Sequence, residues 1–372
     1  MTGFLSTIVF APLLGAAVIG LWPRLGTRGI RLTALIFTAI SLLLSLVLFG
    51  RFDQSGAVQF EDLARWIPAL NVNYHLGVDG LSLPLVVLTA LLGLIAVLIS
   101  HHTTEHPRQY FVWLLILETS ILGVFCALDL LLFFVFWEIE IVPMYFLISN
   151  WGSGRKDYSA TKYVLYTLFG SALMLAGILG VYFATGSFDV TALSASGQLA
   201  LQTALPAAPL FFLLLAGFAV KLPVVPFHTW LPDAHTDAPT AASVMLAGSL
   251  IKMGGYGMIR ICVGLFPAVA RDFAPYLTAL AAVSIVYGGA IVLRQTDLKR
   301  LIAYSSVSHM GFVLLGIFAL SQASLTGAVL QMVSHGLIAG LLFAASGIVM
   351  HNTHERTIGR LGGLAAGCPV RR

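Results

Sequence analysis

Five titratable side chains lie inside long apolar runs of this sequence, where no water would solvate a charge. They are Glu118, Glu138, Glu140, Lys221 and Lys252. A charged side chain at membrane depth is costly unless it is paired, so each of these residues is a hypothesis for a functional site. Carboxylates and ammonium groups that are buried together can transfer protons, and this is the chemistry that the residue types indicate.

Each glutamate also has a structural interpretation, in which a neutral carboxyl is hydrogen-bonded to a neighbouring helix. That interpretation stays open for Glu118 and Glu140. It is weaker for Glu138, because a lysine in an opposing span could pair with it. Glu140 follows Glu138 by two residues, about 200° around a helix, which predicts that the two carboxylates face different directions.

The segment around Lys221 reads GFAVKLPVVPFHTWLPDAHTDAPT. Its prolines are Pro223, Pro226, Pro232 and Pro239. Because proline cannot donate a backbone hydrogen bond inside a helix, the sequence predicts that this span is broken just after the lysine. Broken helices at membrane depth line polar cavities and bind ions in transporters. The alternative, a lysine that snorkels to the interface, is disfavoured for this residue by the apolar run before it.

Snorkelling stays open for Lys252, because three glycines follow it closely. Two histidines lie in later apolar runs, His309 in LIAYSSVSHMGFVLLG and His335 in VLQMVSHGLIAGLLF. A membrane histidine can be a structural hydrogen-bonding group, and that interpretation stays open. Together with Glu138 and Lys221, however, these residues form a row of titratable groups that favours proton transfer.

Other kinds of site have less support. His228, Asp233 and His235 could bind zinc, but their spacing matches no standard zinc pattern. The three cysteines are far apart and have no CxxC or metal-ligand spacing, so we expect inert packing residues. They are Cys126, Cys262 and Cys368. No glycine-rich nucleotide-binding motif occurs, so the cofactors of any redox machine would lie on partner chains.

Membrane-spanning helices must position these residues. The chain is 58% hydrophobic and 10% charged, whereas soluble domains carry roughly a quarter charged residues. With a mean hydropathy of +0.93, a water-soluble fold is excluded. Runs long enough to cross about 30 Å of hydrocarbon predict an all-α polytopic membrane protein with about eleven transmembrane helices, the seventh broken by prolines. The runs are 4–22, 30–50, 81–100, 110–128, 130–150, 162–185, 208–230, 238–262, 274–293, 300–320 and 326–350.

Basic residues predict the orientation. With the N-terminus outside, most of them fall in inner loops, as the positive-inside rule requires. The inner set is Arg24, Arg28, Arg31, Arg108, Arg155, Lys156, Lys162, Arg294, Lys299, Arg300, Arg356, Arg360, Arg371 and Arg372. The outer set is Arg51, Arg65, Arg260 and Arg271. The first run lacks a basic n-region and a cleavage site, so we expect a retained helix rather than a signal peptide.

Several long motifs resemble a known superfamily. They are GVDGLSLPLVVLT, FWEIEIVPMYFLI, KLPVVPFHTWLPDAHTDAPTAASVMLAGSLIKMGGYG, DLKRLIAYSSVSHMGF and QMVSHGLIAG. They resemble the antiporter-like membrane subunits of NADH:quinone oxidoreductase, or respiratory complex I, whose superfamily also includes multisubunit cation/proton antiporters. Within it, FWE followed by VPMYF is most similar to the subunit M, or chain 4, family. The resemblance extends over almost the whole chain.

The resemblance implies roles for five residues. Glu138 is implied to be the fifth-helix glutamate, and Lys221 its partner at the break in helix seven. Lys252 is implied to be the central lysine of helix eight. His309 and His335 match the histidines of helices ten and eleven that link two half-channels. The implied function is proton pumping through this Glu-Lys-Lys-His relay, coupled to electron transfer in partner subunits.

The resemblance also implies two inverted repeats. It assigns residues 1–106 to helices 1–3, 107–265 to the first repeat (helices 4–8) and 266–372 to part of the second (helices 9–11). The family has fourteen core helices, whereas this sequence stops at LGGLAAGCPVRR after its eleventh run. We therefore expect an incomplete second repeat in a C-terminally truncated reading frame.

The resemblance implies that the chain is a subunit of a proton-translocating enzyme, NADH:quinone oxidoreductase. The resemblance places no cofactor on this chain and assigns FMN, iron–sulfur clusters and quinone to partner subunits. The implied partners are other membrane subunits of complex I, including neighbouring antiporter-like subunits. Residue composition and the absence of a transit peptide favour the bacterial plasma (inner) membrane. Two alternatives stay open: a subunit of a multisubunit Na⁺/H⁺ antiporter, and a non-conducting truncated membrane scaffold.

Overall fold

The computed structural model describes residues 3–54, 56–103, 105–196 and 206–362, so Cys368, Arg371 and Arg372 lie outside it. Among these residues, nine helices are long and apolar enough to cross a membrane. Two shorter apolar helices, Leu83–Ile99 and Ala207–Lys221, occupy the two remaining predicted runs. The prediction of an all-helical set of about eleven spans is therefore confirmed.

The elements follow one another as helices connected by short loops. The α-helices are α1 Phe4–Leu21, α2 Thr27–Arg51, α3 Leu83–Ile99, α4 Pro107–Cys126, α5 Leu130–Ile139, α6 Ile141–Trp151, α7 Lys156–Thr185, α8 Val190–Ser196, α9 Ala207–Lys221, α10 Trp230–Asp237, α11 Thr240–Val263, α12 Pro267–Val292, α13 Leu298–Phe318 and α14 Gln322–Thr353. Two strands, β1 Gln59–Ile67 and β2 Val72–Val78, lie between α2 and α3.

The two strands form an antiparallel hairpin, which the sequence analysis did not predict. The hairpin is fastened to the start of α1 by Asp62, whose carboxylate accepts hydrogen bonds from the backbone nitrogen and the hydroxyl of Ser6 at 2.8 and 2.9 Å. It is also fastened to the start of α5, because the carboxylate of Asp129 accepts from the backbone nitrogen of Asn73 at 3.1 Å. The hairpin therefore joins the N-terminal helices to the central bundle.

His75 attaches the hairpin to the loop that follows α7. Its Nε2 lies 2.7 Å from Oε2 of Glu61, and its Nδ1 lies 3.3 Å from Oδ2 of Asp189. Burial alone would lower the pKa of His75, but its hydrogen bonds to Asp189 and Glu61 and their charges outweigh burial and raise it. The imidazolium is thus the form that the hairpin favours.

A raised histidine pKa makes this attachment depend on pH. The contact contributes its full stability below about pH 6.5, the ordinary pKa of histidine, and loses it as the pH rises through the raised value. We expect the amide protection factors of the hairpin to fall across that range in hydrogen-exchange measurements. In His75→Asn, protection should be low and independent of pH. The same transition in native and variant chains would contradict this assignment.

Two backbone bridges show that the chain repeats its architecture. Asp129 caps α5 and is bridged to Asp189, beyond α7, whereas Asp297 caps α13 and is bridged to Thr357, beyond α14. The backbone hydrogen bonds that flank the two bridges are equivalent. The first bridge lies against the hairpin and the second beside α10, at the opposite end of the bundle. The repeats are therefore inverted, and their boundaries at 107–265 and 266–372 remain predictions.

Helix α11 is the most enclosed of the nine long spans found in the described residues, with 94% of an 18-residue stretch buried. Two π-helical segments, Leu246–Leu250 and Met258–Val263, flank an α-helical turn that begins at Lys252. This turn packs directly on the end of α9. A Cβ atom at Gly254 would lie 2.6 Å from the backbone nitrogen of Leu222, so only glycine permits this approach.

The close contact at Gly254 can be tested by substitution. We expect Gly254→Ala to destabilise the protein by about 1–3 kcal/mol, because the backbone it meets cannot move aside as a side chain could. The measurement is the midpoint of thermal unfolding in detergent. Gly264→Ala is the matched control, since its added Cβ has no neighbour nearer than 3.6 Å. Equal effects of the two substitutions would refute the packing argument.

Candidate functional site

Helix α9 ends at Lys221, where the prolines predicted a break, and the chain runs irregularly to α10. The break leaves carbonyl groups without helical partners. One of them, on Val220, accepts a hydrogen bond from Nε1 of Trp230 at 2.9 Å. Lys221 is 2% exposed, so its side chain is held inside the bundle at the end of a helix.

The ammonium group of Lys221 forms an ion pair with Oε1 of Glu140, which is completely buried. The hydroxyl of Tyr163 donates a hydrogen bond to the other carboxylate oxygen at 2.6 Å. The ammonium also lies 5.2 Å from the ring centre of Trp137 and 5.6 Å from that of Tyr163, within the range of cation–π attraction. One carboxylate and two aromatic rings therefore stabilise the charge.

Glu140, rather than the implied Glu138, is the ion-pair partner of Lys221 in the structure, and the implied role of Glu138 in the proton path stays a prediction. Helix α5 ends at Ile139, because Pro143 has no N–H to donate to its carbonyl. Glu140 itself keeps right-handed helical dihedral angles, with φ −69° and ψ −23°, and Leu130–Trp151 is one span, so the interruption is local. From this span, the carboxylate of Glu140 reaches Lys221.

Glu138 is nevertheless a close neighbour of the ion pair. Its carboxylate lies beside the hydroxyl of Ser171 and within electrostatic range of both Lys221 and Glu140. In the part of the chain that the structure describes, its Oε1 is buried and has no hydrogen-bond partner. The site therefore holds two carboxylates for one lysine, although helical spacing predicted that they would face apart.

Lys252 is completely buried, which excludes snorkelling. Its ammonium donates a hydrogen bond to the carbonyl of Ala247, in the preceding π-helical segment, and lies 2.7 Å from Nδ1 of His335. The ring of His335 is 5.3 Å from that of His309. His309 is exposed, with its Nδ1 3.0 Å from the side-chain nitrogen of Gln331. Three of the predicted residues thus form a row from the core to the surface.

The row and the ion pair are separate clusters. Within residues 3–54, 56–103, 105–196 and 206–362, no carboxylate pairs with Lys252, and no hydrogen bond joins Lys252 to Lys221. The helices that carry the two lysines are nevertheless in direct contact, as described for Gly254. A proton moving between the clusters would need intervening water or a change of side-chain conformation.

Two further buried histidines lie at the break, where the sequence analysis considered them only as zinc ligands. Among the described residues, the ring nitrogens of His235 have no hydrogen-bond partner, whereas His228 has the backbone of Pro226 as a partner. The ring of His235 stacks on Phe343 at 4.6 Å and lies within electrostatic range of Lys252. His235 is therefore a buried titratable group close to the second lysine.

In the described residues, Asp233 forms ion pairs with basic side chains, and Glu118 forms none. Asp233 pairs with Lys162 at 2.7 Å and with Arg300 at 3.3 Å, so its carboxylate is already neutralised. No group of three potential metal ligands occurs in the described segments. Glu118 is 1% exposed and packs against Gly93, with no cation paired to it in the described chain. Its Oε1 has no hydrogen-bond partner among the described residues, so the hydrogen bond that the structural interpretation requires is not seen, and the role of Glu118 stays a prediction.

Comparisons with known proteins identify the family. The family described as "NADH:quinone oxidoreductase/Mrp antiporter, TM" matches residues 127–372. NAD(P)H-quinone oxidoreductase chain 4 1 of Synechococcus sp. (strain JA-3-3Ab) is 46% identical over 98% of this chain and 69% of its own length. NADH-quinone oxidoreductase subunit M of Rhodobacter capsulatus is 40% identical over 100% of this chain and 75% of its own length.

A solved structure agrees with these sequences. A chain of "Respiratory complex I from Thermus thermophilus with bound NADH" matches with a TM-score of 0.88 and 29% identity, over 98% of this chain and 75% of that one. The resemblance seen in the motifs is confirmed. The chain belongs to the family of antiporter-like membrane subunits that NADH:quinone oxidoreductase and Mrp antiporters share.

Proposed function

We propose that this chain is a proton-translocating subunit of NADH:quinone oxidoreductase in the bacterial plasma membrane, with its N-terminus outside. The observation that carries the proposal is the completely buried Lys252, which lies 2.7 Å from His335 and has no carboxylate partner in the described chain. Such a lysine costs free energy if it stays permanently charged, so a group that gains and loses a proton accounts for it better than a packing residue.

The proposed path begins at the ion pair. A conformational or electrostatic change in a partner subunit weakens the contact between Glu140 and Lys221. The ammonium is then left without its counter-charge in a buried site, which favours release of its proton. Water carries the proton to Lys252, and direct contact carries it from Lys252 to His335.

The path leaves the core through His309. This residue is the exposed end of the row, and a cavity of about 600 Å³ opens beside it, between α13 and α14. We propose that neighbouring membrane subunits, including other antiporter-like subunits, contact this protein. FMN, iron–sulfur clusters and quinone would belong to partner subunits, which would supply the energy for pumping.

The family also contains Mrp-type antiporters, so a Na⁺/H⁺ antiporter subunit is the second candidate. Both relatives described above are named as quinone oxidoreductase chains, at 46% and 40% identity, which supports the redox-linked function. A redox-driven pump requires electron transfer in the same complex, whereas an antiporter exchanges sodium ions for protons and requires no electron donor.

The proposal predicts that Lys221→Ala abolishes proton uptake driven by NADH in membrane vesicles while the complex still assembles. The reason is that alanine cannot carry the proton, whereas Glu140 can become neutral by binding a proton and the surrounding helices keep their packing. Proton uptake is measured with a pH-sensitive dye, and assembly of the complex is measured by native gel electrophoresis. Lys156→Ala is the control, because this lysine is the first residue of α7 and its ammonium donates a hydrogen bond to the carbonyl of Asn150, away from the ion pair. Normal uptake by assembled Lys221→Ala would refute the proposal.

A further inference from the structure

Glu138 and Glu140 have unequal hydrogen bonding beside Lys221. Both oxygens of Glu140 are occupied, one by the lysine and one by the hydroxyl of Tyr163 at 2.6 Å. Oε1 of Glu138 is buried and has no partner among residues that the structure describes. A buried polar atom without a partner is costly, and beside Lys221 this oxygen offers the ammonium a second acceptor.

An aromatic ring lies beside each of the two carboxylates near the Lys221 ammonium. Trp137 lies on the side of Glu138, because its Nε1 donates to Ser171 at 3.1 Å and Ser171 lies beside that carboxylate. Tyr163 lies on the side of Glu140. The ammonium is 5.2 Å from the first ring and 5.6 Å from the second, so aromatic faces attract it on both sides.

We propose that Lys221 exchanges between two carboxylates during turnover, from Glu140 to Glu138, and that Tyr163 is the positioning residue that holds Glu140 in the first state. This inference rests on the proposed function of the site in proton pumping. It assigns each of the two glutamates a separate part in the same step, where the family resemblance implied a single glutamate.

Charge and protons balance in this exchange. In the first state, Glu140 is ionised and paired with Lys221, and Glu138 holds a proton, since an ionised carboxylate there would have no counter-charge. In the second state, Glu138 is ionised and paired, and Glu140 holds a proton. Between the two states, Lys221 releases its proton along the path to Lys252 and regains one from Glu138, while Glu140 takes up one proton from outside the site. Each exchange therefore passes one proton, and the site is neutral in both paired states. Proton release and uptake therefore occur at different atoms.

The test compares substitutions in the assembled complex, with NADH-driven proton uptake measured in membrane vesicles. Glu138→Gln and Glu140→Gln should each lower uptake by about tenfold or more, because either change leaves the lysine with one partner and fixes the equilibrium in one state. Native uptake in assembled Glu140→Gln, or in assembled Glu138→Gln, would overturn the exchange. The proposed function would survive that result if Lys221→Ala still abolished uptake.

Tyr163→Phe tests the positioning role. It leaves both carboxylates in the site, so it can still be measured if Glu140→Gln does not assemble. It should reduce uptake in the native background and have no further effect in the Glu140→Gln background, because the hydroxyl acts through that carboxylate. Independent, additive losses, or no loss at all in Tyr163→Phe, would contradict the assignment. Tyr182→Phe, on the same helix but stacked on Phe188 instead, is the matched control and should pump normally.

Discussion

An ammonium group inside a bilayer has to be neutralised at the place where it lies, and the architecture around Lys221 meets that requirement. Helix α9 stops at the lysine, which places the ammonium beside the buried carboxylate of Glu140 on the facing span. Tyr163 and Trp137 enclose the pair. Since removing one partner of a buried pair is strongly destabilising, any signal that weakens this contact has a large effect on the proton.

The second lysine is stabilised in a different way. Lys252 has a backbone carbonyl and the ring of His335 as partners, both neutral acceptors when the lysine is charged. Such a site tolerates a charge only weakly, so it suits a residue that passes a proton on. His309 then extends the row to an exposed surface. A tightly neutralised lysine followed by a weakly neutralised one gives the path a direction, provided that the first contact can be broken.

Local signals in the sequence were sufficient for the spans and for the break after Lys221, because apolar length and proline act through the backbone alone. The ion-pair partner was not predictable in the same way. The angle between Glu138 and Glu140 gives the relative directions of two side chains on one helix, but it does not say which of them reaches a lysine on another helix. The glycine at position 254 suggested a snorkelling lysine, whereas it serves the close packing of two helices. The hairpin lies between apolar runs and depends on contacts distant in sequence.

The pairing of Lys221 with Glu140 is tested by the position of the Lys221 ammonium in the resting complex. An electron cryo-microscopy structure of the assembled complex, at a resolution that separates carboxylate oxygens, would measure it. We expect Nζ to lie within about 3 Å of one carboxylate oxygen of Glu140 and the Tyr163 hydroxyl to donate to the other. A resting structure in which Nζ contacts Glu138 and the Tyr163 hydroxyl has left Glu140 would contradict it.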